Sequence, residues 1–224
     1  MSRDGLLAGL KVVIDAGPTC EDIDPVRFLG NRSSGKMGFA IAAAAGAAGA
    51  EVTLVAGPVA LATPAGVARR IDVRSALQMR DAVFSVIDAA DIFIATAAVA
   101  DWRVASYSER KIKKEPSGTP ILELVENPDI LAEVAARSPR PFVVGFAAET
   151  DHVLENGRKK LARKKLDMLA ANHVDATSGI GADDNALEVL WADGGVSLPR
   201  APKPDLAKAL VACIAARYRA RMHA

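Results

Sequence analysis

Lys11-Val-Val-Ile-Asp-Ala16 stops at Gly17-Pro18, and Glu51-Val-Thr-Leu-Val-Ala56 stops at Gly57-Pro58. Between them the chain runs Ala-rich and helix-competent from Lys36 to Gly49. Two short apolar runs ended by turn residues, with a helical stretch between, predict a strand–helix–strand crossover unit. The same alternation continues outward. Arg70-Ile-Asp-Val73 reads as a strand, and Ser75 is a good N-cap for a helix running to about Ala89. Asp91 to Thr96, Pro141 to Phe146 and Asp167 to Ala171 read as further strands, the last after a charged helix. Alternating strands and helices predict a Rossmann-like, three-layer α/β domain with a mostly parallel sheet.

Two segments depart from the alternation. From Asp101 to Gly118 the chain is polar and charged without periodicity, which predicts an exposed flap. Leu187 to Trp191 and Val196 to Leu198 flank Ala192-Asp-Gly-Gly195, a hairpin signal. A last helix is expected from near Pro204, with Leu206, Leu210, Cys213 and Ile214 on one face. No repeat or linker divides the chain, so residues 1–224 are expected to form one domain.

Composition narrows the function classes. The 224 residues carry 28 Lys+Arg against 27 Asp+Glu, which argues against a general nucleic-acid or membrane-surface binder. Aromatic residues are only 4%, leaving few stacking platforms for single strands. The most apolar stretch, Phe39 to Ala50, falls well short of the roughly 20 residues a membrane span needs. The two cysteines, Cys20 and Cys213, make no disulfide framework, and a cytoplasmic location is expected.

Ligands of open parallel sheets bind beyond the carboxyl ends of the strands, so the chemistry is sought there. Asn31-Arg-Ser-Ser-Gly-Lys-Met-Gly38 opens the Ala-rich helix. Small residues at that position expose backbone N–H groups to an anion, and capping by Ser33 or Ser34 accounts for them equally well. Gly30 and Gly35-Lys36 fit part of a Walker A loop, but Met37 breaks it. Lys111-Ile-Lys-Lys114 lies in the flap, either to meet phosphates or as a solvated charge run. Lys160 and Lys164 share a helix face, and a polar surface is sufficient reason for both. Asn127-Pro128 reads as a helix start, with Asn as N-cap and Pro at the first helical position. Asp101 suits a nucleotide or a cap on the flap.

Other chemistries find little support. His152, His173 and His223 have no metal-ligand spacing with either cysteine, and no Gly-x-Ser-x-Gly elbow is present. Cys20 has no sequence-evident base, and Asp183 and Asp184 suit a turn better than a metal site. A nicotinamide-dependent oxidoreductase shares the fold class, but no Gly-x-Gly-x-x-Gly follows the first strand. A non-catalytic nucleotide-binding module remains open on these features.

Taken in order, several stretches resemble the bacterial, CTP-dependent phosphopantothenoylcysteine synthetases. They are Ala16–Thr19, Ile23-Asp-Pro-Val-Arg27, Asn31–Gly38, Ala97–Asp101, Lys111–Lys114, Asn127–Ile130, Val144–Glu149 and Asp184–Leu187, together covering nearly the whole chain. The resemblance implies a ligase of coenzyme A biosynthesis. The 4′-phosphopantothenate carboxylate attacks the α-phosphate of CTP, pyrophosphate leaves, and cysteine then displaces CMP from the acyl-cytidylate.

It further implies catalytic roles for Asn31, on the acyl-cytidylate, and for Lys111, on the phosphates. Arg27 and Asn31 would serve phosphopantothenate, Arg27 across a homodimer interface. Ser33, Ser34, Gly35, Ala97, Asp101, Lys111, Asn127, Pro128, Asp129, Ile130, Phe146, Lys160 and Lys164 would bind CTP. Mg²⁺ would arrive on the triphosphate, with no protein side chain as metal ligand. Many relatives carry a flavin-dependent decarboxylase half, fused or separate; no flavin is expected on these residues. Cys20 stands where a basic residue often follows Gly-Pro-Thr, and Trp102 where a smaller aromatic is usual.

Overall fold

The computed structural model describes residues 5–114, 119–149, 151–173 and 181–223. The chain begins with β1 (Lys11–Ala16) and a small hairpin of β2 (Cys20–Asp22) and β3 (Phe28–Gly30). Helix α1 (Lys36–Ala47), β4 (Glu51–Ala56), β5 (Val67–Asp72), α2 (Ala76–Phe84) and β6 (Ile92–Ala95) follow. A two-stranded ribbon, β7 (Trp102–Val104) with β8 (Leu124–Glu126), precedes α3 (Ile130–Ala135). The chain ends through β9 (Phe142–Glu149), α4 (Val153–Arg163), β10 (Met168–His173), β11 (Asp184–Trp191), β12 (Gly194–Pro202) and α5 (Lys203–Met222).

Among the described residues, eight strands form the main sheet in the order β12-β11-β10-β9-β6-β1-β4-β5. It is parallel from β5 to β10, and β11 and β12 join antiparallel. The apolar runs read as continuous because both faces are covered. Strand alternation divides each run between two cores. Ile14, Leu54 and Ile94 pack with α1 and α5 through Ile41, Leu210 and Ile214. Val13, Val55 and Phe93 pack on the other face with Met79, Val134 and Leu161 from α2, α3 and α4. The outer strands β5 and β12 are largely exposed.

The sheet strands, the N-cap at Ser75, the hairpin and the last helix follow the sequence reading, but α2 stops at Phe84 rather than near Ala89, with a separate 3-10 turn over Ile87–Ala89. Four other local expectations change. Helix α1 starts from Gly35, in the left-handed region at φ 71°, without a side-chain cap, so neither Ser33 nor Ser34 caps it. Asp129, rather than Asn127, caps α3 by accepting the Ala132 N–H at 3.0 Å, and the helix starts at Ile130 rather than Pro128. The flap contains strand β7, which pairs with β8 and is therefore partly ordered by a ladder. On α5, Leu206, Leu210 and Ile214 are buried, but Cys213 is only half-buried.

Candidate functional site

The strand ends around β1 and β6 are stitched together before any ligand is considered. Ala98 N–H donates to the Gly17 carbonyl at 2.9 Å, and Ala100 N–H donates to the buried Thr19 hydroxyl at 3.0 Å. Beneath them Asp15 is buried, with its carboxylate accepting the Ala97 N–H at 2.8 Å. Burial pushes its pKa up to about 6, against the lowering effect of the Ala97 and Thr96 N–H groups. Helix α1 sits close over this floor because residue 38 is glycine. A Cβ there would come within 2.5 Å of Ala16 Cβ and closer still to Thr96 Oγ1.

A cleft of about 430 Å³ opens above these strand ends. Its walls include Asn31, Ser33, Ser34 and the first turn of α1 on one side, and Ala97, Asp101 and Phe146 on the other. Arg32, Lys36, Lys160 and Lys203 also line it, and Asp101 is the acidic residue among the described lining. A helix N-terminus and an excess of basic side chains favour an anion here. Asn31 is no helix cap: its Nδ2 donates to the Val99 carbonyl at 2.9 Å, tying the two walls together. An amide nitrogen has two donors, so a second N–H is left for a ligand.

Two of the lining lysines were not expected from the sequence. Lys36 Nζ pairs with Asp183 at 2.6 Å and donates to the Gly181 carbonyl at 3.1 Å. Lys203 is buried, donates to the Ala182 carbonyl, and is held below the usual lysine range by burial and by the charge of Lys36. Nothing in Pro202-Lys203-Pro204 marks a side chain that folds inward. For Lys36, the near-miss to a Walker A loop was the available signal.

Of the remaining expected residues Lys160 lines the cleft, and the others lie outside the lining. Asn127 is fixed beside the cleft: its N–H donates to the Asp101 carbonyl at 2.8 Å and its Nδ2 to the Ala100 carbonyl at 2.9 Å. Lys160 reaches the cleft wall, donating to the Phe146 carbonyl at 2.7 Å. Lys164, at the end of α4, pairs with Asp129 at 2.6 Å. The Lys164 ammonium and the Ala132 N–H outweigh burial and hold the Asp129 carboxyl below the usual range. Arg27 and Lys111 belong to the β2–β3 turn and the flap, joined to each other by hydrogen bonds around Asp24 and Ile112. Cys20 is buried, which pushes its thiol pKa up, an unfavourable setting for a nucleophile. No cluster of three or more His, Cys, Asp or Glu that could hold a metal occurs among the described residues. No helix among them is long and apolar enough to cross a membrane.

Fold and cleft together define a Rossmann-like α/β protein with a basic, helix-capped pocket at the strand ends. The chain belongs to the DNA/pantothenate metabolism flavoprotein C-terminal domain family, matched over residues 7–218. It is 53% identical over 209 residues to the coenzyme A biosynthesis bifunctional protein CoaBC of Vibrio cholerae, covering 92% of this chain and 52% of that protein. The Escherichia coli K12 protein of the same name is 50% identical over 216 residues, covering 95% of this chain and 53% of its own. The chain thus spans about half the length of these relatives. A crystal structure of the C-terminal domain of a CoaBC protein superposes with a TM-score of 0.80 at 38% identity, over 94% of this chain and 96% of that one.

Proposed function

We propose that this chain is a CTP-dependent phosphopantothenate–cysteine ligase, acting as one domain. The observation that carries the reading is the cleft: the start of α1, Asn31 and four basic residues converge on one space at the strand ends. That lining suits a reaction whose substrates, a nucleoside triphosphate and a phosphorylated acid, are both anionic.

The phosphopantothenate carboxylate attacks the α-phosphorus of Mg²⁺–CTP, forming an acyl–phosphate bond as the bond to pyrophosphate breaks. The cysteine amine then attacks the acyl carbon, CMP leaves, and the amine proton passes to solvent. The enzyme's task is to hold like-charged groups together and stabilise charge as it moves. Lys160 and the α1 terminus would receive phosphates, Asn31 would hold the acyl oxygen, and Asp101 with the Asn127–Ile130 loop would position the nucleoside. Lys111 would close onto the phosphates from the flap. Mg²⁺ comes with the triphosphate, because the cleft offers few carboxylates. We place the enzyme in the cytoplasm as a homodimer, with Arg27 serving the neighbouring subunit and a flavin-dependent decarboxylase acting next on the product.

Pyrophosphate release with CTP, ATP, GTP or UTP, each with phosphopantothenate and cysteine, tests the reading. Strong preference for CTP is expected. Equal turnover with ATP, or no release with any nucleotide, would refute it. Asn31→Asp is expected to form acyl-cytidylate but transfer it poorly to cysteine, because an ionised carboxylate cannot donate to the acyl oxygen. A mass spectrum of the quenched reaction distinguishes this from normal amide formation.

A further inference from the structure

Asp24 stands in the turn between β2 and β3, and its side chain is 0% exposed. Its two oxygens do different work. Oδ1 accepts the N–H groups of Val26 and Arg27, each at 2.8 Å, which is the ordinary way an Asx residue closes a turn. Oδ2 accepts Arg27 Nη1 at 2.8 Å and, across to the flap, the Ile112 N–H at 3.1 Å. Arg27 Nη1 also donates to the Ile112 carbonyl at 3.1 Å. Both backbone polar groups of Ile112 are therefore committed to this one turn. A second tie, Ser108 N–H to the Ile23 carbonyl at 3.0 Å, fastens the start of the same loop.

Closing the turn alone requires one acceptor, which Asn would supply. The second oxygen, and the charge, are used on the guanidinium and the flap. Burial works against that charge, but the Val26, Ile112 and Arg27 N–H groups and the guanidinium hold the carboxyl below its usual range. Lys111, the neighbour of Ile112, keeps its side chain in solvent. The anchored backbone thus fixes where an otherwise loose cation starts.

We propose that Asp24 is a positioning residue for the flap: through Ile112 it sets Lys111, and through the guanidinium it sets Arg27, so one carboxylate registers two cations against each other. The consequence for turnover rests on the ligase reading above; the tie itself does not.

Asp24→Asn separates the two duties, because Oδ1 can still close the turn while Nδ2 cannot accept from Ile112 or Arg27. Amide exchange over residues 108–114 should then speed up by about tenfold, the scale of one lost hydrogen bond. Ligase turnover at saturating CTP should fall by about tenfold or more. In a Lys111→Ala background the same substitution should lower turnover by clearly less than it does alone, because one of the two cations it positions is gone and only Arg27 is left to misplace. Ile112→Pro removes the same hydrogen bond from the flap side and leaves the turn intact, so it should reproduce the turnover loss even where Asp24→Asn disturbs folding. Unchanged exchange overturns the proposal, as does faster exchange with normal turnover, or full additivity with Lys111→Ala. Wild-type protein that releases no pyrophosphate refutes the ligase reading instead, and the exchange measurement still decides the tie.

Discussion

The cleft floor and the flap hold their candidate residues by opposite means. On the floor, Ala97 and the start of α1 continue directly from buried elements, and a glycine at position 38 brings helix and strand ends together. On the flap, Lys111 has no regular element beneath it; its neighbour is fixed by hydrogen bonds to a turn more than 80 residues away in sequence. A floor built into a parallel sheet gives fixed geometry, whereas a hydrogen-bonded loop can tighten when charge develops. The floor is therefore expected to govern stability and binding, and the flap to govern rate.

The largest effect expected from this division is at Lys111. Lys111→Ala should lower kcat by about 100- to 1000-fold, the scale of losing an aligned charge, with a much smaller change in the apparent affinity for CTP. Steady-state pyrophosphate release measures both, and an effect confined to KM would erase the distinction between the regions.

Next comes the buried carboxylate under the floor. Asp15 has its pKa raised from 3.8 to about 6. The folded protein then binds this proton more tightly than the unfolded chain. The resulting stability is fully present below about pH 4 and is lost as pH rises through about 6. Asp15→Asn keeps an acceptor for Ala97 and removes the titration. Relative to wild type, it should gain stability between about pH 4 and pH 7, by about 3 kcal/mol at most. Urea unfolding across that range provides the check, and parallel curves would contradict it.

Gly38→Ala should cost about 1–3 kcal/mol in the same assay, because the new methyl meets Ala16 and Thr96 and α1 must retreat. An unaltered midpoint would mean that the floor yields as easily as the flap. The smallest effect is expected at Lys164, whose ammonium is engaged by Asp129, itself 49% exposed. Lys164→Ala should lower stability by less than about 1 kcal/mol and weaken CTP binding less than Lys160→Ala does. Calorimetric titration of both variants tests that order.

What the sequence disclosed follows the same division. The strand at Lys11–Ala16 and the helix from Lys36 were readable because a long apolar run or a helical composition has few alternative uses. Strands β2, β3 and β7 were not: Cys20–Asp22, Phe28–Gly30 and Trp102–Val104 are too short to show alternation, and pairing across a turn defines them. Asn127 looked like a cap because Pro follows it, but its amide is used on Ala100, and the cap passes to Asp129. Lys203 left no trace, because inward folding of a lysine depends on a carbonyl supplied by a distant loop. Asn31, Asp101 and Phe146, which the family motifs single out, line one cleft, whereas the pairing of Lys164 with Asp129 lay beyond any linear pattern.

The sheet margins have a bearing on how copies of this protein can meet. An outer strand offers unpaired N–H and C=O groups that invite strand addition by another molecule. One margin, β12, carries Pro199 and Pro202, neither of which has an N–H to offer. The other, β5, presents Arg69 and Arg70, the latter paired with Asp72 and donating to the Leu61 carbonyl at 2.7 Å. Both margins are blunted against ribbon-to-ribbon growth. Any self-association of the native protein would accordingly fall to side-chain surfaces, where it can stop at a closed assembly instead of propagating into a filament.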